Sequence, residues 1–280
     1  MKTYLECFSC LVRQSLSAAR FAGLEYDGQR QVLNRVLGEL QQLSADSTPP
    51  QTINKIYAAI ADEAGQEDIF KDVKASNTRD ALALYPELKN MLQGAEDRFD
   101  LAVRLAIAGN IIDYAASDTF DLMDSVKEVL NVPLTENEIP QLKAEIEKAP
   151  WVLYVADNAG ETVFDRLLIE EIAPKKVIYV VRGGPILNDA TVEDAIAAGI
   201  DQAAELRTTG YQGLGVDFEH VSPEFQHLWD SASVIIAKGM ANYETLSEYG
   251  SRIFFLLKVK CDPIAQDVGV PTGSLIVRRG

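Results

Sequence analysis

The fold is decided by the stretch WVLYVADNAGETVFDRLLIEE, which runs from Trp151 to Glu171. It opens with an apolar run of strand length, breaks at the motif DNAGE (residues 157–161), and resumes with apolar residues at helical spacing. A buried strand followed directly by a helix is typical of a parallel sheet covered by helices. The polar residues of the motif therefore stand at the carboxyl end of a predicted strand, where α/β proteins bind their ligands.

The same alternation continues downstream. The β-branched runs KKVIYVV, ASVIIA and RIFFLLKV alternate with helical segments such as TVEDAIAAG and ANYETLSEYG. AAELRTTG is a weaker strand, and SLIVRR predicts a last strand at an edge of the sheet. We therefore predict an α/β fold for residues 150–280, with a Rossmann-like, mostly parallel sheet and helices on both faces.

Residues 1–149 have a different pattern. Segments such as CLVRQSLSAARFAG, QRQVLNRVLGELQQL and TINKIYAAIADEAG carry apolar residues at three- and four-residue steps. They predict an N-terminal helical domain that precedes the α/β domain, with NVPLTENEIP as the transition between them.

Composition excludes several classes of function. The chain has 280 residues, a net charge of −16 and no basic stripe, which argues against nucleic acid as a partner. No apolar run approaches the roughly 20 residues that cross a bilayer, and no signal peptide is evident, so we expect a cytoplasmic protein without a membrane partner. The two histidines, His220 and His227, lie in a polar stretch and are expected to be surface or structural. Nothing in the sequence indicates an oligomeric state.

Oxygen-bearing side chains follow the first two predicted strands. Asp157 and Asn158 follow the first strand, and Asp189 lies in the loop after the second. Because the carboxyl ends of parallel strands meet at one crevice, these side chains are expected to converge. Carboxylate and amide oxygens suit Mg²⁺ or Mn²⁺ and do not suit a dedicated zinc site. Taken singly, each of these residues is also a common helix cap.

Three further residues favour an anion at the same crevice. Gly160 allows close approach of the backbone just before a helix, and Lys238 and Lys260 end two later strands. The lysines bring positive charge to an acidic molecule, although a single lysine is usually a solvated surface charge. Together with a divalent metal they predict a receptor for a phosphate group.

Four motifs carry a resemblance to a known family. DNAGE, GGPILND, AKGMANYE and LLKVKCDPIAQDVGV follow, in this order, a helical half that contains RLAIAGNIID, and they resemble the damage-control phosphatase family. CFSC is similar to the motif of its CxxC-bearing prokaryotic subfamily. The resemblance implies a metal-dependent phosphatase that acts on sugar phosphates and other small phosphorylated metabolites. We expect Mg²⁺ or Mn²⁺ as its cofactor, with Co²⁺ or Ni²⁺ as alternatives.

The resemblance also implies roles for individual residues. It assigns Asp157, Asn158 and Asp189 to the metal and Lys260 to the phosphate. Where other subfamilies have Arg-Thr shortly before this lysine, residues 257–258 here are Leu-Lys, so their substrate preferences are not transferred. The implied substrate loop consists of Lys238, Gly239, Met240, Ala241 and Asn242.

The mechanism is less constrained by the sequence. Phosphatases of the haloacid type attack with an aspartate and carry a second aspartate two positions later, where this chain has Ala159. We therefore favour hydrolysis by a metal-bound water, with Glu161 as a base or a substrate ligand. Asp157 as a covalent nucleophile stays open.

Several other polar residues have two interpretations. Asn110 and Asp113 share one face of a very apolar helix, which indicates either a buried polar pair or contact with the substrate. Lys74 and Asn77 raise the same question more weakly. Tyr243 could stack on a substrate or belong to the core.

The three cysteines form a separate group. Cys7 and Cys10 have the spacing of half a zinc site, and Cys261 is the only further thiol. They could form a second metal site or a redox pair, or they could be small apolar residues of a packed helix. Their number does not suggest a disulfide framework.

Two other functions stay open. One is an S-adenosylmethionine-dependent carboxyl methyltransferase, an activity linked to a eukaryotic branch of the family, although no G-x-G loop follows the first strand. The other is a sensor of a metabolite or a metal that uses the same crevice without catalysis. Turnover separates the sensor from both enzymes.

Overall fold

A β-sheet with helices on both faces forms the centre of the protein. The structure, a computed structural model, describes residues 1–44, 46–110 and 119–280. The strands of this described chain are β1 (Leu134–Asn137), β2 (Trp151–Val155), β3 (Lys176–Val181), β4 (Glu205–Thr208), β5 (Ile235–Lys238), β6 (Ile253–Lys258) and β7 (Leu275–Arg279). Its helices are α1 (Leu5–Phe21), α2 (Tyr26–Gln41), α3 (Pro49–Ala64), α4 (Lys71–Gly94), α5 (Arg98–Ala108), α6 (Thr119–Asn131), α7 (Ile139–Lys148), α8 (Thr162–Ile172), α9 (Val192–Ala197), α10 (Pro223–Ser231), α11 (Gly239–Leu246) and α12 (Asp262–Val268).

The topology of the sheet creates a binding crevice. The described strands lie in the order β1-β7-β6-β5-β2-β3-β4, and β2 to β6 are parallel wherever they pair. After β2 the chain adds β3 and β4 on one side and then β5 and β6 on the other, so the direction of winding reverses between β2 and β5. The predicted Rossmann-like α/β fold is confirmed. In such a sheet the carboxyl ends of the two strands at the reversal form the crevice.

The last strand is not where the sequence placed it. SLIVRR was expected at an edge, but β7 pairs antiparallel with β6 and parallel with β1, which takes the edge position among the described strands. The expectation was wrong because β1 has only the residues LTEN, whose exposed and half-buried side chains alternate, so its sequence resembles a turn.

Successive residues of the central strands face different helices. Val152 and Tyr154 belong to an apolar cluster with α4 to α8, whereas Leu153 and Val155 belong to a second cluster with α10 to α12. This is the two-residue alternation of a strand buried on both faces. The prediction of helices on both faces is confirmed.

The N-terminal helices divide between two cores. α1 to α3 share a small apolar cluster that includes Leu11, Val36 and Ile60, while α4 and α5 pack into the cluster of the sheet. The domain boundary at residues 149 and 150 stays a prediction, and β1 and α4 to α7 share sheet or core with the strands that follow it. Within the described ranges, no helix combines the length and the apolar character that a membrane span requires.

The apolar helix that was predicted to carry Asn110 and Asp113 lies only partly within the described residues. α5 ends at Ala108, and a short turn extends it to Asn110. The following residues, among them Asp113, lie outside the described chain, so the role predicted for Asp113 stays a prediction.

Candidate active site

The loops after β2 and β3 are joined by backbone hydrogen bonds. The Ala159 N–H donates to the Asn188 carbonyl at 2.9 Å, and the Ala190 N–H donates to the Asp157 carbonyl at 2.8 Å. These bonds hold the start of the DNAGE motif beside Asp189. Backbone hydrogen bonds alone therefore bring the predicted metal-binding residues close together.

A cavity of about 460 Å³ opens at this point of the crevice. The predicted residues that line it are Asn110, Asp157, Asn158, Asp189, Met240, Ala241, Lys260, Cys7, Cys10 and Cys261. Convergence of residues from the carboxyl ends of different strands, which the sequence predicted, is thus seen in the structure.

The carboxylate of Asp157 occupies space that only a glycine leaves open. Gly239, the first residue of α11, has φ +77°, and a Cβ built on it would lie 1.9 Å from Asp157 Oδ2. On the other side, the Asn158 side-chain amide donates to Asp157 Oδ2 at 3.2 Å. Gly239 therefore acts through the shape of the site, since it allows Asp157 to lie against the backbone of α11.

Asp189 is paired with a buried arginine that sequence reasoning did not assign to the site. Arg182 Nε donates to Asp189 Oδ2 at 2.7 Å, and its two other nitrogens donate to the Gly215 carbonyl at 2.8 Å and to Asn242 Oδ1 at 3.2 Å. Burial raises the pKa of Asp189, and the guanidinium opposes this rise without cancelling it. Arg182 is the first residue after β3, and this position was the available signal.

Asn242 lies behind the wall of the cavity. It is fully buried, and its side-chain amide donates to the carbonyls of Ala156 at 2.9 Å and Lys238 at 2.6 Å. It thereby ties the start of α11 to the end of β2. The predicted contact of Asn242 with a substrate stays a prediction, and the observed contacts are with the protein.

Lys238 also lies below the cavity. Its side chain is 1% exposed, and Nζ donates to Glu161 Oε2 at 2.9 Å and to Asp165 Oδ1 at 2.7 Å. Asp165 accepts two further bonds, from the hydroxyls of Tyr154 and Tyr179, both at 2.7 Å. Burial acts to lower the pKa of Lys238, but the two carboxylates outweigh it and raise that pKa. Burial raises the pKa of Asp165, which was missed although it stands one helical turn after Glu161.

Glu161 is the centre of this network. Its Oε1 accepts from the side-chain amides of Asn158, at 2.7 Å, and Asn110, while its Oε2 accepts from Lys238. The residue is 1% exposed. Glu161 thus joins the loop after β2, the end of α5 and the end of β5.

Asn110 reaches Glu161 because α5 and α8 approach closely. A Cβ on Gly109 would lie 3.0 Å from Cβ and Cγ of Phe164, so a larger residue would push the helices apart. Asn110 Oδ1 is buried and has no hydrogen-bond partner among the described residues.

Comparison with known proteins identifies the family. The model of the damage-control phosphatase ARMT1-like domain matches residues 3–276. The chain belongs to this family. It is 35% identical over 285 residues to a damage-control phosphatase of Pyrococcus horikoshii, with 100% of this chain and 98% of that protein covered. It is 33% identical over 291 residues to a damage-control phosphatase of Archaeoglobus fulgidus, with 99% of each covered.

A solved structure agrees with this assignment. The crystal structure of a DUF89 family protein from Pyrococcus horikoshii matches with a TM-score of 0.92 and 35% identity, over 100% of this chain and 99% of that one. The resemblance inferred from the four sequence motifs is confirmed. The family assignment supports phosphatase activity.

In this family member, Lys260 is the lysine that faces the cavity. It is half-buried, and its Nζ donates to the Asn110 carbonyl at 3.5 Å. Its backbone N–H lies 3.4 Å from the sulfur of Met240. Gly160 is buried in the turn that precedes α8. The two predicted lysines therefore differ in place, because Lys260 lines the cavity and Lys238 supports its base.

The three cysteines also line this cavity. Cys7 and Cys10 belong to the start of α1, and Cys261 immediately precedes α12. None of them forms a disulfide. Burial raises the pKa of Cys7 and raises that of Cys261 to about 11. Cys10 accepts from the Gln14 side-chain amide at 3.3 Å.

A different group of metal-type ligands lies outside this cavity. Asp217, Glu219 and His220 are the described residues whose ligand atoms fall within 4.8 Å of one another. His220 is exposed and stacks on Tyr211 at a centroid distance of 5.1 Å. His227 is exposed as well. Because exposed acidic groups often cluster without an ion, this group does not by itself define a metal site.

Two weaker predictions correspond to structural contacts. Lys74 is buried between Asp68, at 2.8 Å, and Asp194, at 3.0 Å, and so ties α4 to α9. Asn77 lies further along α4 and is half-buried. Neither residue lines the cavity.

The structure supports the second interpretation of Tyr243, which placed it in the core. It is buried against Phe255, and its hydroxyl donates to Asp267 Oδ2 at 2.9 Å. These contacts belong to the core and not to the cavity.

Proposed function

We propose that this protein is a metal-dependent phosphatase that hydrolyses phosphate monoesters of small metabolites such as sugar phosphates. The family and the curated relatives support a phosphatase. The observation that carries the metal dependence is the set of oxygen ligands from Asp157, Asn158 and Asp189 at the reversal of the sheet.

The charge of the cavity supports the same proposal. Its ionisable lining residues are Glu6, Arg13, Asp157, Asp189, Glu244, Lys260 and Asp262, of which Glu244 is mostly protonated at neutral pH because burial raises its pKa to about 8. Carboxylates outnumber cations among them, so a phosphate ester would be repelled without a further positive charge. A divalent cation held by Asp157 and Asp189 would reverse this local imbalance.

The ligand set fits a hard divalent cation. The atoms offered by Asp157, Asn158 and Asp189 are carboxylate and amide oxygens, and Asn110 adds a buried amide oxygen without a partner in the described chain. Such donors suit Mg²⁺ or Mn²⁺, with Co²⁺ or Ni²⁺ as alternatives. When bound, the cation supplies Lewis acidity toward a phosphoryl oxygen and lowers the pKa of a coordinated water.

The residues of the chain have separate tasks in this proposal. Lys260 binds the phosphate, because it is the described lysine that lines the cavity. Gly160 and the backbone before α8 favour the anion at a helix N-terminus. Water is the favoured nucleophile, because Ala159 stands where a haloacid-type enzyme has its second aspartate. Glu161 is better suited to hold the site together than to act as a base, since both of its oxygens accept bonds from the protein.

Phosphate release is the direct test. It is measured with p-nitrophenyl phosphate and a panel of sugar phosphates, in the presence of Mg²⁺, Mn²⁺, Co²⁺ or Ni²⁺ and after treatment with EDTA. Asp157→Ala is expected to lower the rate by at least about a hundredfold while the protein stays folded. Asp201→Ala, at an exposed aspartate away from the cavity, is the matched control and keeps full activity.

Each other outcome has a defined meaning. Release that survives both EDTA and Asp157→Ala contradicts the metal assignment. Transfer of a methyl group from S-adenosylmethionine, without phosphate release, would identify the methyltransferase instead. Binding of metabolites or metals with no turnover on any substrate would identify a sensor.

A further inference from the structure

One buried polar atom in the cavity has no hydrogen-bond donor within the part of the chain that the structure describes. Asn110 is 7% exposed, and its Oδ1 has no hydrogen-bond partner among the described residues. Asn110 nevertheless lines the cavity together with Asp157, Asn158 and Asp189. A buried acceptor of this kind is costly in a folded protein unless a ligand or water satisfies it.

The orientation of this amide is fixed by a carboxylate. Asn110 Nδ2 donates to Glu161 Oε1, so Oδ1 points to the other side of the amide. The opposite orientation would bring the amide oxygen against a carboxylate oxygen, with no proton between them. Asn158 Nδ2 donates to the same Glu161 oxygen at 2.7 Å. One carboxylate oxygen therefore turns the amino groups of both amides toward itself.

The chemistry of the atom limits what it can bind. An amide oxygen is an acceptor only, so it is unfavourable against the ionised oxygens of a phosphate group. It is a good ligand for Mg²⁺ or Mn²⁺, which take neutral amide oxygens together with carboxylates. Asn158, the residue oriented by the same glutamate, already belongs to the proposed metal site.

We propose that Asn110 Oδ1 is an additional oxygen ligand of the divalent cation and that Glu161 is the positioning residue that aims it. The proposal rests on the metal site of the proposed function. It assigns Asn110 to the cation and not to the substrate.

The surroundings of Glu161 explain how it can hold this orientation. Lys238 donates to Glu161 Oε2 at 2.9 Å and is itself held by Asp165 at 2.7 Å. Asp165 is fully buried and accepts from the hydroxyls of Tyr154 and Tyr179. Each oxygen of Glu161 therefore has its own donors, and the side chain cannot rotate without breaking a buried ion pair.

Binding of Mn²⁺ to the metal-free protein, measured by calorimetry or by loss of the free-ion electron paramagnetic resonance signal, tests the ligand without substrate or turnover. Asn110→Ala is expected to weaken Mn²⁺ binding by roughly tenfold or more. Asp157→Ala is the positive control, because it removes a principal ligand of the proposed site. Tyr57→Phe is the matched control, because the Tyr57 hydroxyl is also buried and Tyr57 is not among the residues that line the cavity.

The outcomes separate this inference from the proposed function. If Asn110→Ala binds Mn²⁺ like the wild type while Asp157→Ala does not, Asn110 is no ligand; a change in KM alone would make it a substrate contact. If neither substitution changes Mn²⁺ binding, the proposed metal site fails together with the inference. Circular dichroism of each variant checks that the fold is kept.

A second pair of variants tests the positioning role of Glu161. Glu161→Gln is expected to weaken Mn²⁺ binding in the wild-type background. In Asn110→Ala its additional effect should be smaller, since the amide that Glu161 orients is already absent. Equal effects in both backgrounds would show that Glu161 does not act through Asn110.

Discussion

The floor and the rim of the cavity are built in different ways. The floor, defined as Asp157, Asn158, Glu161 and Asp189, is at most 7% exposed and is hydrogen bonded to the buried residues Asn110, Arg182 and Lys238. The rim, defined as Cys10, Arg13, Cys261 and Asp262, is half or fully exposed and lies on α1 and at the start of α12.

This difference separates two tasks of the site. The floor fixes the positions of ligand atoms, because moving one side chain there breaks several buried bonds. The rim has few such constraints, so its side chains can change without disturbing the floor. The following variants test this separation, beginning with the largest expected effect.

Lys238→Met is expected to be the most damaging change. It removes the buried cation and leaves Glu161 and Asp165 as neighbouring carboxylates without their counter-ion. The loss should be about 3–5 kcal/mol in the free energy of unfolding, measured by urea denaturation. Lys176→Met, at an exposed lysine of β3 that pairs with Glu205, should cost less than about 1 kcal/mol. Similar losses for the two variants would contradict the rigid floor.

Gly239→Ala is expected to damage the proposed metal site. The new methyl group would overlap the Asp157 carboxylate, and the residue would keep a positive φ at a cost of roughly 1–2 kcal/mol. Mn²⁺ binding should weaken by about tenfold or more. Gly269→Ala has the same backbone strain, with φ +85°, but no atom within 4 Å of the new methyl group. The control should lose stability and keep its Mn²⁺ affinity; equal loss of affinity in both would rule out the overlap as the cause.

Glu244→Gln is expected to change the pH dependence of stability. Burial raises the pKa of Glu244 from 4.5 to about 8, with the Met1 ammonium opposing and Asp267 adding to the rise. Between these values the folded protein keeps a proton that the unfolded chain releases, so stability falls as pH rises from about 4.5 to about 8. Glu244→Gln should remove this decline and gain about 1–2 kcal/mol at pH 8, less than the full shift because the side chain is only half-buried.

Thermal unfolding at pH 5, 6, 7 and 8 measures this effect. The difference in Tm between Glu244→Gln and the wild type should grow with pH. A difference that is constant over this range would show that Glu244 is ionised in the folded protein.

Cys10→Ser is expected to have the smallest effect. The thiol is half-buried on the rim, and its observed partners are the neighbouring side chains of α1. Stability should change by no more than about 0.5 kcal/mol, and Mn²⁺ binding should be unchanged. Loss of Mn²⁺ binding in this variant would connect the thiols to the floor and contradict the separation proposed above.

The strand ends of the site could be predicted from sequence because they are local signals. A strand such as WVLYV is recognisable from its apolar residues, and the rule that parallel strand ends meet then brings Asp157 and Asp189 together. The outcome depends on the order of elements along the chain and not on details of packing.

The support of the site could not be predicted in the same way. Asp165 and Arg182 act through partners that are distant along the chain, Lys238 and Asn242 respectively, and only the folded sheet brings them together. Lys238 ends β5 and Lys260 follows β6 closely, so sequence position does not tell which of the two lysines points into the cavity. Lys238 is held below the cavity by the carboxylates of Glu161, in the loop before α8, and Asp165, in α8.

The antiparallel pair β6 and β7 has a consequence for how this protein can diverge. The segment between the two strands carries Lys260 and part of the rim, and its ends are held together because the Val259 N–H donates to the Ser274 carbonyl at 2.8 Å and the Gly273 N–H donates to the Val259 carbonyl at 2.7 Å. Residues inserted inside this closed loop would extend away from the sheet, and longer loops add little to the entropic cost of closure. This loop is therefore a natural place for insertions that would change which metabolite the proposed phosphatase accepts while the proposed metal ligands keep their positions.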